Sequence, residues 1–356
     1  MTFEVSRLVR ENIRRLKPYS SARSEFAGTA EVFLDANENA FGSPTGEGYN
    51  RYPDPLQLEL KGLISGLKGI EADKIFVGNG SDEAIDLLLR IFCDPGCTEV
   101  IICPPTYGMY RVSADINDVA VTEVPLTTEF ELDVPEILAA VSERTKLVFI
   151  CSPNNPTGNS MQPESIVEVA EKFDGIVVID EAYIDFAAST SFVNELDLYP
   201  NVVVLQTFSK AWGMADLRVG MAFASSAIVD LMNRVKPPYN VSGIAQQAVI
   251  EAFANQGKID EWIVAVLDER TTLSDHLAAL RFVEKIYPSD ANFLLVKVTD
   301  AETVYRFLLE SHIVVRNRNN VELCAGCLRI TVGTPDENEL LIRSLRHFER
   351  IGGEGV

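Results

Sequence analysis

Short apolar runs alternate with segments of helical periodicity along the first two thirds of the chain. The runs that predict buried strands are 74–77, 99–102, 119–122, 147–150, 176–179, 202–205 and 219–223. The segments with helical spacing include 56–67, 82–92, 107–114, 134–141 and 163–172. Strands that alternate with helices of this length favour an α/β fold, in which a mostly parallel sheet is flanked by helices.

The pattern changes near residue 243, where long helices are predicted over 243–279. Further apolar runs predict strands at 293–298, 313–316 and 327–332, and helical spacing recurs at 301–311 and 336–350. We therefore predict a large domain over 46–245 and a smaller α+β domain built from 1–45 and 246–356.

The N-terminal segment predicts a short amphipathic helix. Its apolar residues fit one helical face and are Phe3, Leu8, Val9, Ile13 and Leu16. The basic residues of this segment hint at a transit peptide, but Glu4 and Glu11 interrupt them. We therefore assign the segment to the fold.

Composition narrows the expected partners. The 356-residue chain has a formal net charge of −21, from 52 acidic and 31 basic residues. Nucleic acids and anionic membranes need a basic face, so we expect neither as a partner. No apolar run of about 18 residues predicts a membrane span. Six cysteines without a recognisable signal peptide favour reduced thiols and a cytoplasmic location.

Cysteine and histidine spacing argues against two common catalytic chemistries. Cys324 and Cys327 form a lone C-x-x-C pair, and neither a second pair nor a nearby histidine completes a zinc site. We interpret them as packing residues of a strand and expect no metal. The three histidines lie in helix-like or apolar contexts, which argues against a Ser-His-Asp triad.

A single lysine follows the 202–205 run. Thr207 and Ser209 precede Lys210, and Arg218 lies eight residues beyond it. In open α/β sheets, ligands bind outside the carboxyl ends of the strands. A lysine there can lose its proton and form a Schiff base with a carbonyl, while hydroxyls and an arginine suit a phosphate. The alternative is that Ser209 and Lys210 are solvated surface residues. The motifs that follow the other strands decide between the two interpretations.

A glycine-containing turn follows the 74–77 run. Gly78 and Gly80 permit a tight turn, and the helix that begins at Ser81 and Asp82 offers free N–H groups to a phosphate. Glutamate replaces the third glycine of G-x-G-x-x-G, so the turn is not a dinucleotide fingerprint. An ordinary strand-to-helix turn remains the alternative.

Two further strand ends carry polar side chains. After the 147–150 run, prolines and a glycine fix the backbone around Asn155. After the 176–179 run, Asp180 places a carboxylate at an apolar strand end, where an unpaired charge is unfavourable. Asp180 could pair with a heteroaromatic cation, and Tyr183 could donate to a phenolate. Capping of the next helix is the structural alternative for Asp180.

These features together indicate pyridoxal 5'-phosphate as the cofactor. They supply a Schiff-base lysine, a carboxylate for a pyridinium nitrogen, an amide and a phenol for a phenolate oxygen, and a phosphate cradle. Because the elements follow four different strands, their combination indicates the cofactor more strongly than any single motif.

The chain also resembles the fold-type-I pyridoxal-phosphate aminotransferases nearly from end to end. The motifs that carry the resemblance lie at 16–19, 50–53, 104–110, 152–158, 180–183 and 327–333. Segments 152–158 and 207–210 are shared by many of these enzymes.

A narrower set of residues resembles the histidinol-phosphate branch of this family. It comprises segments 37–39 and 51–53 together with Arg316 and Arg329. The resemblance implies amino-group exchange between glutamate and imidazole-acetol phosphate in histidine biosynthesis, by a cytoplasmic homodimer. The alternatives are an aromatic aminotransferase, a threonine-phosphate decarboxylase and, outside enzymes, a cofactor-binding regulator. A nicotinamide dehydrogenase would need the glycine fingerprint that the chain lacks.

The resemblance implies a role for each site residue. Lys210 would bond to the cofactor and move the substrate proton, and Asp180 would pair with the pyridine nitrogen. Asn155 and Tyr183 would hold the phenolate oxygen. The ring would stack on Tyr107. The cofactor phosphate would be bound by Ser81, Asp82, Ser209, Arg218 and Tyr52 of the partner subunit. The substrate would be bound by Arg329, Arg316, Tyr19 and Asn37.

Two positions depart from the family pattern. A proline and an aromatic residue usually follow Asn39, whereas this chain has Ala40 and Phe41, a change expected to loosen the substrate loop. Asp216 stands where glycine is usual, two residues before Arg218. Its carboxylate would either weaken the hold of the arginine on phosphate or point to solvent.

Overall fold

A sheet of seven strands dominates the part of the chain that the computed structural model describes, residues 3–19, 31–46 and 48–353. The strands are β1 (Ile75–Asn79), β2 (Glu99–Ile102), β3 (Ala120–Glu123), β4 (Thr145–Cys151), β5 (Ile176–Asp180), β6 (Val202–Thr207) and β7 (Val219–Phe223). Their spatial order is β1-β7-β6-β5-β4-β2-β3. Strand β7 is antiparallel to β1 and β6, and the other neighbours pair in parallel. The predicted mostly parallel sheet is confirmed.

Helices cover both faces of this sheet, because successive strand residues point to opposite sides. Val177 and Ile179 belong to one buried cluster, and Ile176 and Val178 belong to the other. The helices of this part are α2 (Leu58–Lys68), α3 (Ser81–Phe92), α4 (Met109–Ile116), α5 (Val134–Ala140), α6 (Pro163–Lys172), α7 (Ser226–Val235) and α8 (Gly243–Ala252). Burial on both faces explains why the strands consist almost wholly of valine, isoleucine and leucine.

A smaller antiparallel sheet follows, in the order β10-β11-β9-β8. Its strands are β8 (Val283–Ile286), β9 (Phe293–Val298), β10 (Arg316–Asn317) and β11 (Cys327–Thr331), and its helices are α9 (Gln256–Ala278), α10 (Ala301–Glu310) and α11 (Pro335–Gly353). Leu294 and Val296 pack with the helices, whereas Phe293 and Leu295 belong to a core cluster of the large sheet. One face of the small sheet therefore lies against the large domain.

The N-terminal segment forms less helix than predicted, since α1 covers only Glu11–Arg14. Val9 and Ile13 are buried in the cluster that contains Ile91 of α3. The described part of this segment therefore packs on the large domain, because these two side chains supply its apolar anchor there. This packing concerns the described N-terminal residues, and the predicted division into 46–245 and a small domain of 1–45 and 246–356 stays a prediction.

The apolar run 313–316 is mostly not a strand, which corrects a second prediction. Strand β10 begins only at Arg316, and Val314 is exposed. The reason is that β10 lies at the sheet edge and pairs with β11 over two residues. Helix α7 and strand β8 were not predicted. In the described residues, no helix has both the length and the apolarity that crossing a bilayer requires.

Candidate active site

A cavity of about 610 Å³ lies between the small domain and the carboxyl ends of β4, β5 and β6. Cys151 at the end of β4 pairs with Asp180 at the end of β5, so these strands end side by side. Thr207 at the end of β6 pairs with Gly220 near the start of antiparallel β7. This register brings Arg218, which precedes β7, to the same edge of the sheet.

Most of the predicted site residues line this cavity. They are Ser81, Asp82, Tyr107, Asn155, Asp180, Tyr183, Ser209, Lys210, Arg218, Arg316 and Arg329. Three predicted residues do not line it in the single chain, namely Tyr19, Asn37 and Tyr52. The chain therefore gathers the predicted cofactor residues, and it leaves these three outside.

Asp180 is a buried carboxylate at the floor of the cavity, with 2% of its surface exposed. The Tyr110 hydroxyl donates to Oδ2 at 2.7 Å, and the backbone N–H of Ala182 donates to Oδ1 at 3.1 Å. Burial raises the pKa of Asp180 to about 6, although both hydrogen bonds act in the opposite direction. Within the described residues, no cation forms an ion pair with it. This carboxylate suits a protonated ring nitrogen placed in the cavity.

Tyr110 is a residue that the sequence reasoning missed. It is fully buried in α4, and its ring stacks on Phe149 with centroids 4.9 Å apart. Its spacing of three residues from Tyr107 at a helix start puts both rings on one side, which was the available signal. The two rings meet edge to face at 5.5 Å, so one short segment supplies a cavity wall and the support of Asp180.

The turn after β4 presents Asn155 rigidly. The fully buried neighbour Asn154 donates from Nδ2 to the Pro105 carbonyl at 2.8 Å and to the Thr157 hydroxyl at 2.7 Å. Asn155 Nδ2 lies 3.5 Å from the Tyr183 hydroxyl. Burial raises the pKa of Tyr183, so its phenol stays a neutral donor. An amide and a hydroxyl are thus held side by side, as the binding of one oxygen requires.

Lys210 extends into the cavity from the turn after β6. Desolvation lowers the pKa of Lys210, and the positive charges of Arg329 and Arg218 lower it further. The Nζ atom lies 5.6 Å from the centroid of the Tyr183 ring. An amine that loses its proton more readily can act both as a nucleophile and as a base.

An anion cradle closes the other end of the cavity. Gly80 has φ 75° immediately before α3, and a Cβ atom there would approach Arg218 Nη2 to 2.8 Å. Glycine therefore keeps open the space between this guanidinium and the first N–H groups of Ser81 and Asp82. Arg218 Nη2 lies 3.3 Å from Asp82 Oδ2. Asp216 is exposed and forms no ion pair with Arg218 in the described residues, which agrees with its carboxylate pointing to solvent.

Tyr52 is presented outward from the body of the chain. Its ring stacks on Tyr239 with centroids 4.5 Å apart and remains 51% exposed. Glu38 holds the loop, because its carboxylate accepts from Arg51 Nη1 at 2.6 Å and from the backbone N–H of Tyr52 at 2.7 Å. The Tyr52 side chain is therefore accessible to another molecule and does not line the cavity of its own chain.

The two cysteines of the C-x-x-C pair, Cys324 and Cys327, are both fully buried. Burial raises the pKa of their thiols to about 12 and about 11.

A third arginine, Arg318, lines the cavity together with Arg316 and Arg329. The sequence reasoning missed Arg318, although its spacing of two residues from Arg316 was a usable strand signal.

The residues present fit pyridoxal phosphate by their chemistry. A buried carboxylate without a cation suits the ring nitrogen, and the Asn155–Tyr183 pair suits the phenolate oxygen. The space that Gly80 leaves open beside Arg218 suits the phosphate. Each of these groups lines the same cavity as Lys210.

Comparison with known proteins gives consistent matches. The family model for aminotransferase class I and II matches residues 24–345. A histidinol-phosphate aminotransferase from Cytophaga hutchinsonii is 53% identical over 348 residues, which cover 98% of this chain and 100% of that protein.

Two solved structures extend the match. The histidinol-phosphate aminotransferase from Sinorhizobium meliloti, in complex with pyridoxal-5'-phosphate, has a TM-score of 0.79 and 25% identity, with 89% of this chain and 90% of that chain covered. The enzyme of the same name from Clostridium acetobutylicum has a TM-score of 0.78 and 25% identity, with 85% and 91% covered.

Without a bound ligand, the protein should lose stability as the pH rises through the pKa of Asp180. The folded state raises that pKa from 3.8 to about 6, so it retains a proton that the unfolded chain has already lost. The free energy of unfolding should fall between about pH 4 and pH 6 by up to about 3 kcal/mol. Urea unfolding of Asp180→Asn should lack this part of the fall.

The exposed carboxylate of Asp216 offers a matched control. Asp216→Asn should keep the pH dependence of the unmutated protein. Glu181 is also buried, and burial raises its pKa from 4.5 to about 7, so Asp180→Asn should keep a residual fall between about pH 4.5 and pH 7. Identical pH profiles for Asp180→Asn and the unmutated protein would contradict the assignment of an uncompensated buried charge to Asp180.

Proposed function

The chain belongs to the class I and II aminotransferases, and we propose that it transfers an amino group from L-histidinol phosphate to 2-oxoglutarate. The products are imidazole-acetol phosphate and glutamate, and the cofactor is pyridoxal 5'-phosphate. The observation that carries this proposal is the meeting of Lys210, Asp180 and a group of arginines in one cavity. Two histidinol-phosphate aminotransferases, which are 53% and 51% identical over 98% and 96% of this chain, support this choice of substrate.

The cofactor is held at three points in this proposal. Asp180 would pair with the ring nitrogen, and the hydrogen bond from Tyr110 orients the carboxylate and favours its ionised form. Asn155 and Tyr183 hold the phenolate oxygen. Arg218, the Ser209 hydroxyl and the first N–H groups of α3 would hold the phosphate, because the helix dipole favours an anion there. Tyr107 would pack against the ring.

The protein contributes positioning and proton transfer, while bound pyridoxal phosphate supplies an electron sink that makes the substrate α-carbon acidic. Lys210 removes the proton from that carbon and later returns a proton to the reacting system. Desolvation and the neighbouring arginines lower the pKa of Lys210, so a larger fraction of its amine is free to act as a base.

Arg329 binds the anionic end of each substrate. It extends from β11 beside Asn155, and its guanidinium lies 5.1 Å from the centroid of the Phe293 ring. Histidinol phosphate presents a phosphate on a methylene where glutamate presents its α-carboxylate. A planar guanidinium pairs bidentately with either anion, so one residue serves both half-reactions.

We propose further that the enzyme is a homodimer in which Tyr52 reaches the phosphate of the partner's site. The N-terminal part of the chain exposes several large apolar side chains, which are Val32, Leu34, Phe41, Tyr52, Leu56 and Leu58. An apolar patch of this kind favours burial against another protein. Tyr19 and Asn37 are also exposed in this part of the chain, so we propose that they contact substrate only in the dimer. We assign the dimer to the cytoplasm.

Lys210→Ala should retain cofactor binding and lose transamination by several orders of magnitude, because the covalent link and the mobile proton disappear together. Borohydride treatment of the unmutated protein should fix the cofactor to the peptide that contains Lys210, as read by mass spectrometry. Lys258→Ala, at an exposed position on α9, serves as the control and should keep its activity. Cofactor fixed to any other lysine would overturn the assignment.

Mixed dimers test the shared site. Tyr52→Phe and Lys210→Ala subunits, each impaired alone, should regain activity when they exchange subunits. Such a mixed dimer has one intact site only if the two residues come from different chains. Activity no greater than the sum of the two variants, after exchange is verified by native mass spectrometry, would place Tyr52 outside the partner's site.

A further inference from the structure

Three arginines share the face of the small sheet that looks onto the cavity. Arg316 of β10 pairs with Arg329 of β11, and Arg318 follows Arg316 by two residues. Residues two apart along an extended chain point to the same side. All three accordingly line the cavity.

This arginine cluster has no anionic partner within the described residues. No carboxylate lies within ion-pair distance of its three members, whereas most arginines of the large domain have one. The Nε atoms of Arg318 and Arg329 are buried without a hydrogen-bond partner. Burial lowers the pKa of Arg318, and the charge of Arg316 lowers it further. Buried donors and repelling charges together call for a bound anion.

The cofactor does not satisfy this need. In the proposed function, Arg218 and the start of α3 would hold its phosphate in the cradle that Gly80 leaves open. Asp180 would pair with its ring nitrogen. The arginine cluster therefore provides positive charge in excess of what the cofactor neutralises, although the whole chain carries a net charge of −21.

We propose that Arg318 is a direct ligand of the substrate's phosphate and makes the site prefer a phosphate dianion over a carboxylate. The inference rests on the proposed function, since it assigns part of the substrate site of that reaction. Arg318 is then the residue that separates the two half-reactions, whereas Arg329 serves both.

The geometry of the two anions explains the division. A carboxylate has two oxygens in one plane, and a single guanidinium satisfies both. A phosphate monoester has three terminal oxygens and nearly twice the charge at neutral pH. The third oxygen needs further donors outside the plane of Arg329. Arg318 lines the cavity from the same sheet face, so its guanidinium can supply these further N–H groups.

The test measures binding in single-turnover half-reactions of the holoenzyme with L-histidinol phosphate, L-histidinol and L-glutamate. Arg318→Gln should weaken apparent binding of histidinol phosphate about tenfold or more, the loss expected for one charged hydrogen bond. Binding of histidinol and glutamate should change less than about threefold, because neither carries the phosphate. The dissociation constant of the cofactor, measured by fluorescence titration, should not change.

Inorganic phosphate gives an independent reading. It should compete with glutamate, and Arg318→Gln should raise its inhibition constant in parallel with the loss for histidinol phosphate. Arg318→Lys keeps the charge and loses the planar guanidinium, so its affinity for histidinol phosphate should lie between those of the unmutated protein and Arg318→Gln. It replaces Arg318→Gln if that variant does not fold. Arg343→Gln, at an exposed position on α11, controls for a general loss of positive charge.

Each other outcome would overturn the inference. Unchanged binding of histidinol phosphate and of inorganic phosphate would remove Arg318 from the substrate site. An equal loss of affinity for glutamate would make Arg318 a general anion ligand. Weaker binding of the cofactor would make Arg318 part of the cofactor site. If the unmutated enzyme does not convert histidinol phosphate, the proposed function fails, yet competition by inorganic phosphate still decides the role of Arg318.

Discussion

The site depends on one electrostatic constraint, the burial of the Asp180 carboxylate at the end of a fully apolar strand. Such a charge is tolerated only where hydrogen bonds and an opposite charge compensate its lost hydration. Tyr110 and the backbone of Ala182 supply the hydrogen bonds. Within the described residues, the protein supplies no paired cation, and a protonated pyridine ring meets this requirement. In the proposed function, the same carboxylate would pair with the ring nitrogen of the cofactor and favour its protonated form.

The order of the strands turns this local constraint into a site. Parallel strands β4, β5 and β6 deliver Asn155, Asp180 and Lys210 to one edge of the sheet. Reversal of β7 places Arg218 there as well, beside the start of α3. The small sheet adds its arginines from the opposite side. An acidic chain thereby concentrates positive charge around one cavity, which favours encounter with anionic ligands.

The parts that could be predicted from sequence are those that local chemistry determines. The large sheet was predictable because strands covered on both faces become continuous apolar runs. Lys210, Asp180 and Asn155 were predictable because they lie within five residues after the ends of such runs. The contact of Tyr110 with Asp180 was not predictable, because it joins residues 70 positions apart in the chain. Residues 313–315 looked like a strand because apolar composition alone does not reveal whether a pairing partner exists.

The most direct test of the account is the absorption spectrum of the purified protein during titration with L-histidinol phosphate in the absence of an oxo acid. We predict a yellow protein that loses its visible absorbance at about one equivalent per chain and regains it when 2-oxoglutarate is added. A spectrum that histidinol phosphate leaves unchanged, while phenylalanine bleaches it, would contradict the account and replace it with an aromatic aminotransferase.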